Sequence, residues 1–199
     1  MPSDLASGYE PRHVPVDGVA DAVLAAPPRL GAVRLVAVDG PSGSGKSTFA
    51  RELTATLRDR GVRTELISTD DFATWDDPVS WWPRLAEVLD RIAAGLPGRY
   101  RAWDWSTGRP RPGAEVRVAV PEVLVVEGVS AGRASVRPRL SRLCWVEVPC
   151  PEERLRRAVA RDGEASRPML EAWQRFERGW FAVDQTKRHA DDVILPADV

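Results

Sequence analysis

Residues Gly40-Pro41-Ser42-Gly43-Ser44-Gly45-Lys46-Ser47-Thr48 place glycines where a loop must curl tightly enough for successive backbone N–H groups to converge on a phosphate. The run fits Gly-x-x-x-x-Gly-Lys-Ser/Thr in full. In such a loop Lys46 bridges the outer phosphates of a triphosphate and the Ser47 hydroxyl joins the coordination shell of Mg²⁺. Gly40, Ser42, Gly43, Ser44, Gly45, Lys46, Ser47 and Thr48 are therefore the expected cradle for ATP.

A phosphate loop leaves the reaction open, and the acids decide it. Ser68-Thr69-Asp70-Asp71-Phe72 ends an apolar run, where Asp70 could accept the proton of an attacking hydroxyl and orient it in line. Capping of the following helix is the competing use of an Asp pair, most evenly so for Asp71. Glu127, after Val123 to Val126, is placed to hold Mg²⁺ through water, or is a surface Glu. Arg154, Arg156, Arg157, Arg161 and Arg167 lie on one helix and the linker after it. Arg161 and Arg167 are read as lid residues that spread over transferring phosphate oxygens, and the other three as solvated surface.

These residues need a scaffold that gathers strand ends. Val33 to Asp39 is short and β-branched enough for a buried strand, and the Gly-rich loop follows it directly. A helix from Lys46 to Arg60, closed by Gly61, leads to a second strand over residues 62–68. This β, loop, α, β opening makes a parallel sheet with a right-handed crossover. Helical spacing continues over residues 79–94, 152–161 and 169–183. Residues 99–105 and 115–120 read as an antiparallel ribbon about a 108–113 turn. Strands are expected at 123–126, 143–148 and 192–195. The sum is a three-layer α/β, P-loop NTPase fold with a mostly parallel sheet of about five strands and a small lid near 161–168. Residues 1–30, rich in Pro, Gly and Ala with a short helix at 17–26, read as an arm appended to a domain over 31–199.

Composition narrows the partners. The 199 residues carry 28 Lys and Arg against 29 Asp and Glu, so no global field draws the chain to nucleic acid or an anionic membrane. No apolar run is long enough to span a bilayer, and no basic-then-apolar leader opens the chain, so a cytoplasmic location is expected. Self-association is left open. Cys144 and Cys150 form neither a disulfide framework nor a zinc pattern and read as packing residues. Of the eight Trp, five (Trp75, Trp81, Trp82, Trp103 and Trp105) fall within one stretch. Trp82, with Leu85 and Leu89, has core spacing; Trp103 and Trp105 suit a pocket wall as well as packing.

The ordered set resembles the uridine kinase-like branch of P-loop kinases, which includes phosphoribulokinase and pantothenate kinase. The resemblance runs from Val33 to Leu195 and rests on the phosphate loop, Asp70-Asp71-Phe72, Trp103-Asp104-Trp105, Glu127-Gly128, Arg161-Asp162 and residues 186–191. It implies Asp70 as general base, Glu127 as the Mg²⁺-associated acid, Arg161 and Arg167 as phosphate-contacting lid arginines, and Asp76 as the carboxylate that holds sugar hydroxyls. Departures fall on the acceptor side: Ala73 replaces a Tyr, Trp103 to Gly108 lacks the base-contacting His, and Asp162 to Arg167 lacks the usual Arg-rich lid string. The expected activity is ATP- and Mg²⁺-dependent transfer of the γ-phosphoryl group to a hydroxyl of a small metabolite, foremost a nucleoside. The alternatives are a nucleotide-binding switch or weak ATPase without an acceptor, and a nucleoside monophosphate kinase.

Overall fold

Alternate residues of the apolar strands face opposite ways, and both faces are covered. The computed structural model describes residues 15–107 and 109–196. Strands β1 (Arg34–Asp39), β2 (Thr64–Ser68), β5 (Val123–Glu127), β6 (Arg142–Val146) and β7 (Asp192–Ile194) form one parallel sheet in the order β2-β5-β1-β6-β7. Leu35, Ala37, Leu124 and Val126 enter a core with Leu85, Val88, Leu89 and Ile92 of α3 (Trp82–Ala93). Val36, Val38, Val123 and Val125 face the other way, onto Phe49, Ala50, Leu53 and Leu57 of α2 (Lys46–Asp59). Burial on both faces is why these strands read as continuous apolar runs.

The sheet order creates the site. β1 pairs with β5 on one side and β6 on the other, while β2 lies beyond β5. The chain therefore leaves β1 toward one edge and returns across it to build the other, which opens a crevice at the carboxyl ends of β1 and β5. The helices α4 (Pro151–Asp162) and α5 (Arg167–Asp184), joined by a short 3-10 turn at Glu164–Ser166, stand over that end.

Differences from the sequence reading have local causes. Helix α3 starts at Trp82, not at residue 79, because Pro83 sits in its first turn and the preceding residues are used as a turn, with Trp81 Nε1 donating to the Pro78 carbonyl at 2.7 Å. The ribbon pairs β3 (Gly98–Asp104) with β4 (Arg111–Val118), so the second strand begins before the expected 115. Pro112 is tolerated there because a two-stranded ribbon has free edges. Gly108, in the expected turn, lies outside the described residues, as do residues 1–14 and 197–199. The described part of the expected arm is no loose appendage. Helix α1 (Val16–Ala25) buries Val19, Ala20 and Val23 against α2 in the second core. Cys144 is buried, but Cys150 is exposed, its thiol beside Glu152. Among the described residues no helix is long and apolar enough to cross a membrane.

Candidate active site

The loop between β1 and α2 takes its shape from three glycines with φ of 143°, 74° and 91° at Gly40, Gly43 and Gly45. Two of them also sit against other backbone. A Cβ on Gly40 would lie 2.1 Å from the Val146 carbonyl oxygen, and one on Gly43 would lie 2.2 Å from that of Arg154. The loop is thus seated on β6 and on the first turn of α4, which fixes the direction of its amides. Lys46 folds back over it, Nζ donating to the Pro41 carbonyl at 2.9 Å.

Two buried carboxylates that the sequence reading missed hold this loop. Asp39, the last residue of β1, is fully buried and accepts N–H groups from Gly40 at 2.7 Å, Ser130 at 3.1 Å and Gly132 at 2.8 Å. It ties the start of the phosphate loop to the loop after β5. Burial pushes its carboxyl up to about 7, against the pull of those amides and Lys46. Glu177 of α5, 1% exposed, accepts the Ser42 N–H at 2.9 Å. Burial raises its pKa too, and Lys46 opposes the rise. An Asp closing a strand gave a weak signal for the first; a Glu on a long helix far along the chain gave none for the second.

Glu127 closes β5 in a nearly buried position. Its carboxylate accepts from Ser68 Oγ at 2.7 Å and from Ser47 Oγ at 3.1 Å. Burial raises its pKa, and the nearby Asp70 charge raises it further. The donors suit Mg²⁺: a hydroxyl and a carboxylate are hard oxygen ligands, and a divalent cation would relieve the repulsion between the two acids. Asp70 is exposed, and its carboxylate makes no hydrogen bond or ion pair among the described residues. Its backbone is anchored, the N–H donating to Ser68 Oγ at 3.3 Å and the carbonyl accepting from Trp105 Nε1 at 3.0 Å. The neighbouring Asp71 is turned inward, where Tyr100 donates to it at 2.6 Å; burial raises its pKa.

All of this opens on one cavity of about 1450 Å³. Of the expected cradle, Ser42, Gly43, Gly45, Lys46, Ser47 and Thr48 line it, whereas Gly40 and the buried Ser44 act behind the wall. Asp70, Glu127, Arg161 and Trp105 line it as well. Arg161 makes a two-pronged pair with Asp162, both contacts at 2.6 Å, and that pairing raises its pKa.

Three further expected site residues, Arg167, Asp76 and Trp103, are kept off the cavity wall. Arg167 is held by Glu164, three residues earlier in the 3-10 turn. Asp76 is exposed in a turn closed by hydrogen bonds between Thr74 and Asp77, and it is Asp77 that caps Ser80. Trp103 donates to the Phe72 carbonyl at 2.9 Å and packs under the Arg84 guanidinium. In their place stand Arg157, Trp75 and Trp173. Arg157, read from the sequence as solvated surface, lines the cavity; the signal for it was its place one helical turn before Arg161 on the same face of α4.

No protein-family model and no curated protein matches the chain. Solved structures do. The chain is similar to a possible uridine kinase from Bacillus stearothermophilus at 18% identity, over 90% of this chain and 96% of that one, with a TM-score of 0.67. A candidate fructose transport system kinase from a Silicibacter species is similar at 20% identity, over 92% and 100%, also with a TM-score of 0.67. The likeness establishes the fold: this chain has the three-layer α/β architecture of uridine kinase-like P-loop kinases.

Proposed function

We propose that the chain is a cytoplasmic kinase that moves the γ-phosphoryl group of ATP, with Mg²⁺, to a hydroxyl of a small molecule. One observation carries the reading: a phosphate loop, a hydroxyl-bonded buried Glu127 and a free Asp70 carboxylate open onto one cavity at the ends of β1, β5 and β2. In this mechanism the loop amides and Lys46 hold the triphosphate, and Lys46 exchanges the Pro41 carbonyl for a charged oxygen. Ser47 and Glu127 would hold Mg²⁺, which supplies charge neutralisation at the β- and γ-oxygens when bound. Asp70 orients the acceptor hydroxyl and takes its proton as the oxygen bonds to the γ-phosphorus and ADP leaves with the bridging oxygen. Arg157 and Arg161 lie on the α4 face that borders the cavity and offset charge on the transferring group.

The nucleoside implied by the sequence resemblance is the reference acceptor, and the wall it would meet is formed by Trp75, Trp105 and Trp173. The test is ADP production across nucleosides, sugars and simple alcohols, comparing wild type with Asp70→Asn. Loss of transfer with retained nucleotide binding is expected. Undiminished transfer in the variant removes Asp70 as base, and tight ATP binding that no acceptor converts to turnover favours a switch.

A further inference from the structure

The acceptor end of the cavity is an aromatic corner beside unpaired negative charge. Trp75 meets Trp105 with ring centroids 5.4 Å apart at 83°, and meets Trp173 at 5.9 Å and 85°. All three rings line the cavity. A flat base is gripped best between parallel faces, and neither of these pairs is parallel. Crossed rings present negative π faces from more than one direction, which suits a rounded cation. Among the described residues that line the cavity none is Asn, Gln or His, the amides and imidazole that commonly pair with base edges; the chain contains no Asn.

Charge points the same way. On α4, Arg157 is engaged by Glu153 at 2.6 Å and Arg161 by Asp162, whereas the Asp70 carboxylate makes no such pair; the cavity's other cations, Lys46 and Arg51, stand on α2 with the phosphate loop. The rings and the acid are coupled in space, because Trp105 Nε1 donates to the Asp70 carbonyl at 3.0 Å. A ligand with its hydroxyl at the Asp70 carboxylate can therefore set its other end against these rings.

We propose that the acceptor is an alcohol bearing a quaternary or protonated ammonium group, the cation held against Trp75, Trp105 and Trp173 and the hydroxyl turned to Asp70. This rests on the kinase reading above and names its substrate class. The hydroxyl oxygen bonds to the γ-phosphorus, the bond to the β,γ-bridging oxygen breaks with its electrons going to ADP, and the hydroxyl proton passes to Asp70.

The experiment has a binding arm and a turnover arm, both on the full chain with Mg²⁺. Choline and ethanolamine are titrated by calorimetry in the presence of ADP, beside their neutral isosteres 3,3-dimethylbutan-1-ol and propan-1-ol. One cation is expected to bind roughly 10- to 30-fold more tightly than its isostere, the range of a desolvated cation–π contact. That ratio should fall toward one in Trp105→Leu and in Trp173→Leu. The first of these lies just past the end of β3, outside the main core, and keeps the test informative if the second is unstable. Isosteres that bind as well as the cations, or a preference that survives both substitutions, overturn the proposal. With ATP, the preferred cation should be phosphorylated. Transfer only to nucleosides or sugars leaves the kinase standing and removes this acceptor class. A cation preference without transfer to any alcohol keeps the cage and removes the kinase.

Discussion

Glu177→Ala is the sharpest perturbation of the phosphate loop, because it touches no phosphate and changes one hydrogen bond. The side chain is 1% exposed and accepts the Ser42 N–H at 2.9 Å, and Gly43, the next residue, is pressed against the Arg154 carbonyl. Helices α4 and α5 thus brace the loop from two sides. Removing the acceptor strands a buried amide at a cost of about 1–3 kcal/mol. If the loop stays docked, the loss appears as lower stability; if it comes loose, nucleotide affinity falls by about 5- to 150-fold. Urea unfolding and calorimetric binding of ADP with Mg²⁺ together account for either outcome, and the two losses should sum to that range. Glu177→Gln keeps a carbonyl acceptor and drops the buried charge. Since burial raises the Glu177 pKa, this variant should bind nucleotide like wild type and be at least as stable at pH 8. An alanine variant equal to wild type in both measurements would refute the brace.

Other expectations follow from the same geometry. Asp39→Ala strands three buried amides, roughly 1–3 kcal/mol each, so it should be largely unfolded in circular dichroism and thermal melts. Asp39 also sets a pH trend. Its carboxyl is pushed from 3.8 to about 7, so the folded state holds the extra proton in that window. Its contribution is complete below the unfolded value and is lost as pH rises toward 7, at about 1.4 kcal/mol per pH unit. Glu127 and Glu177 shift in the same direction, so the urea midpoint should be higher at pH 5 than at pH 8. A midpoint that climbs over that range contradicts the buried-acid account. In the lid, Arg157→Ala and Arg161→Ala are each expected to lower kcat/KM by about 100-fold. Arg167→Ala should change it by no more than about twofold, and equal losses in all three would return Arg167 to the site.

The parts legible in sequence are those where chemistry is local. The phosphate loop is built from consecutive backbone amides, so spacing alone displays it. Asp70 and Glu127 sit at strand ends because such strands are apolar runs with visible stops. The layers were equally open, since buried parallel strands and amphipathic helices differ in period. What stayed hidden depends on side-chain partners outside the segment. Arg167 stands where a lid arginine is expected, yet Glu164 holds it. Asp76 is the carboxylate the resemblance assigns to sugar hydroxyls, yet it is exposed in the turn between Thr74 and Asp77. Trp103 lies in β3 and Trp105 just past its end, and only the fold shows which of them reaches the cavity.

Helix α5 explains why the acceptor side was the harder half to read. Leu170, Trp173, Glu177, Phe181 and Asp184 recur at intervals of three and four, a stripe that in sequence resembles any buried helix face. In the structure the stripe is divided among tasks. Leu170 and Trp173 border the cavity, Glu177 holds Ser42, Phe181 packs edge-on to Trp145 at 4.7 Å, and Asp184 accepts the Ala134 N–H at 2.9 Å beyond β5. One element therefore borders the cavity, holds the phosphate loop and holds the loop that Asp39 also grips. An acceptor bound at Trp173 is therefore predicted to tighten ADP binding at the loop, and ADP to tighten acceptor binding by the same factor, which calorimetry of each ligand with and without the other checks. Coupling of this kind needs no motif, because it resides in the helix being a single body, and that is a property no window of the sequence displays.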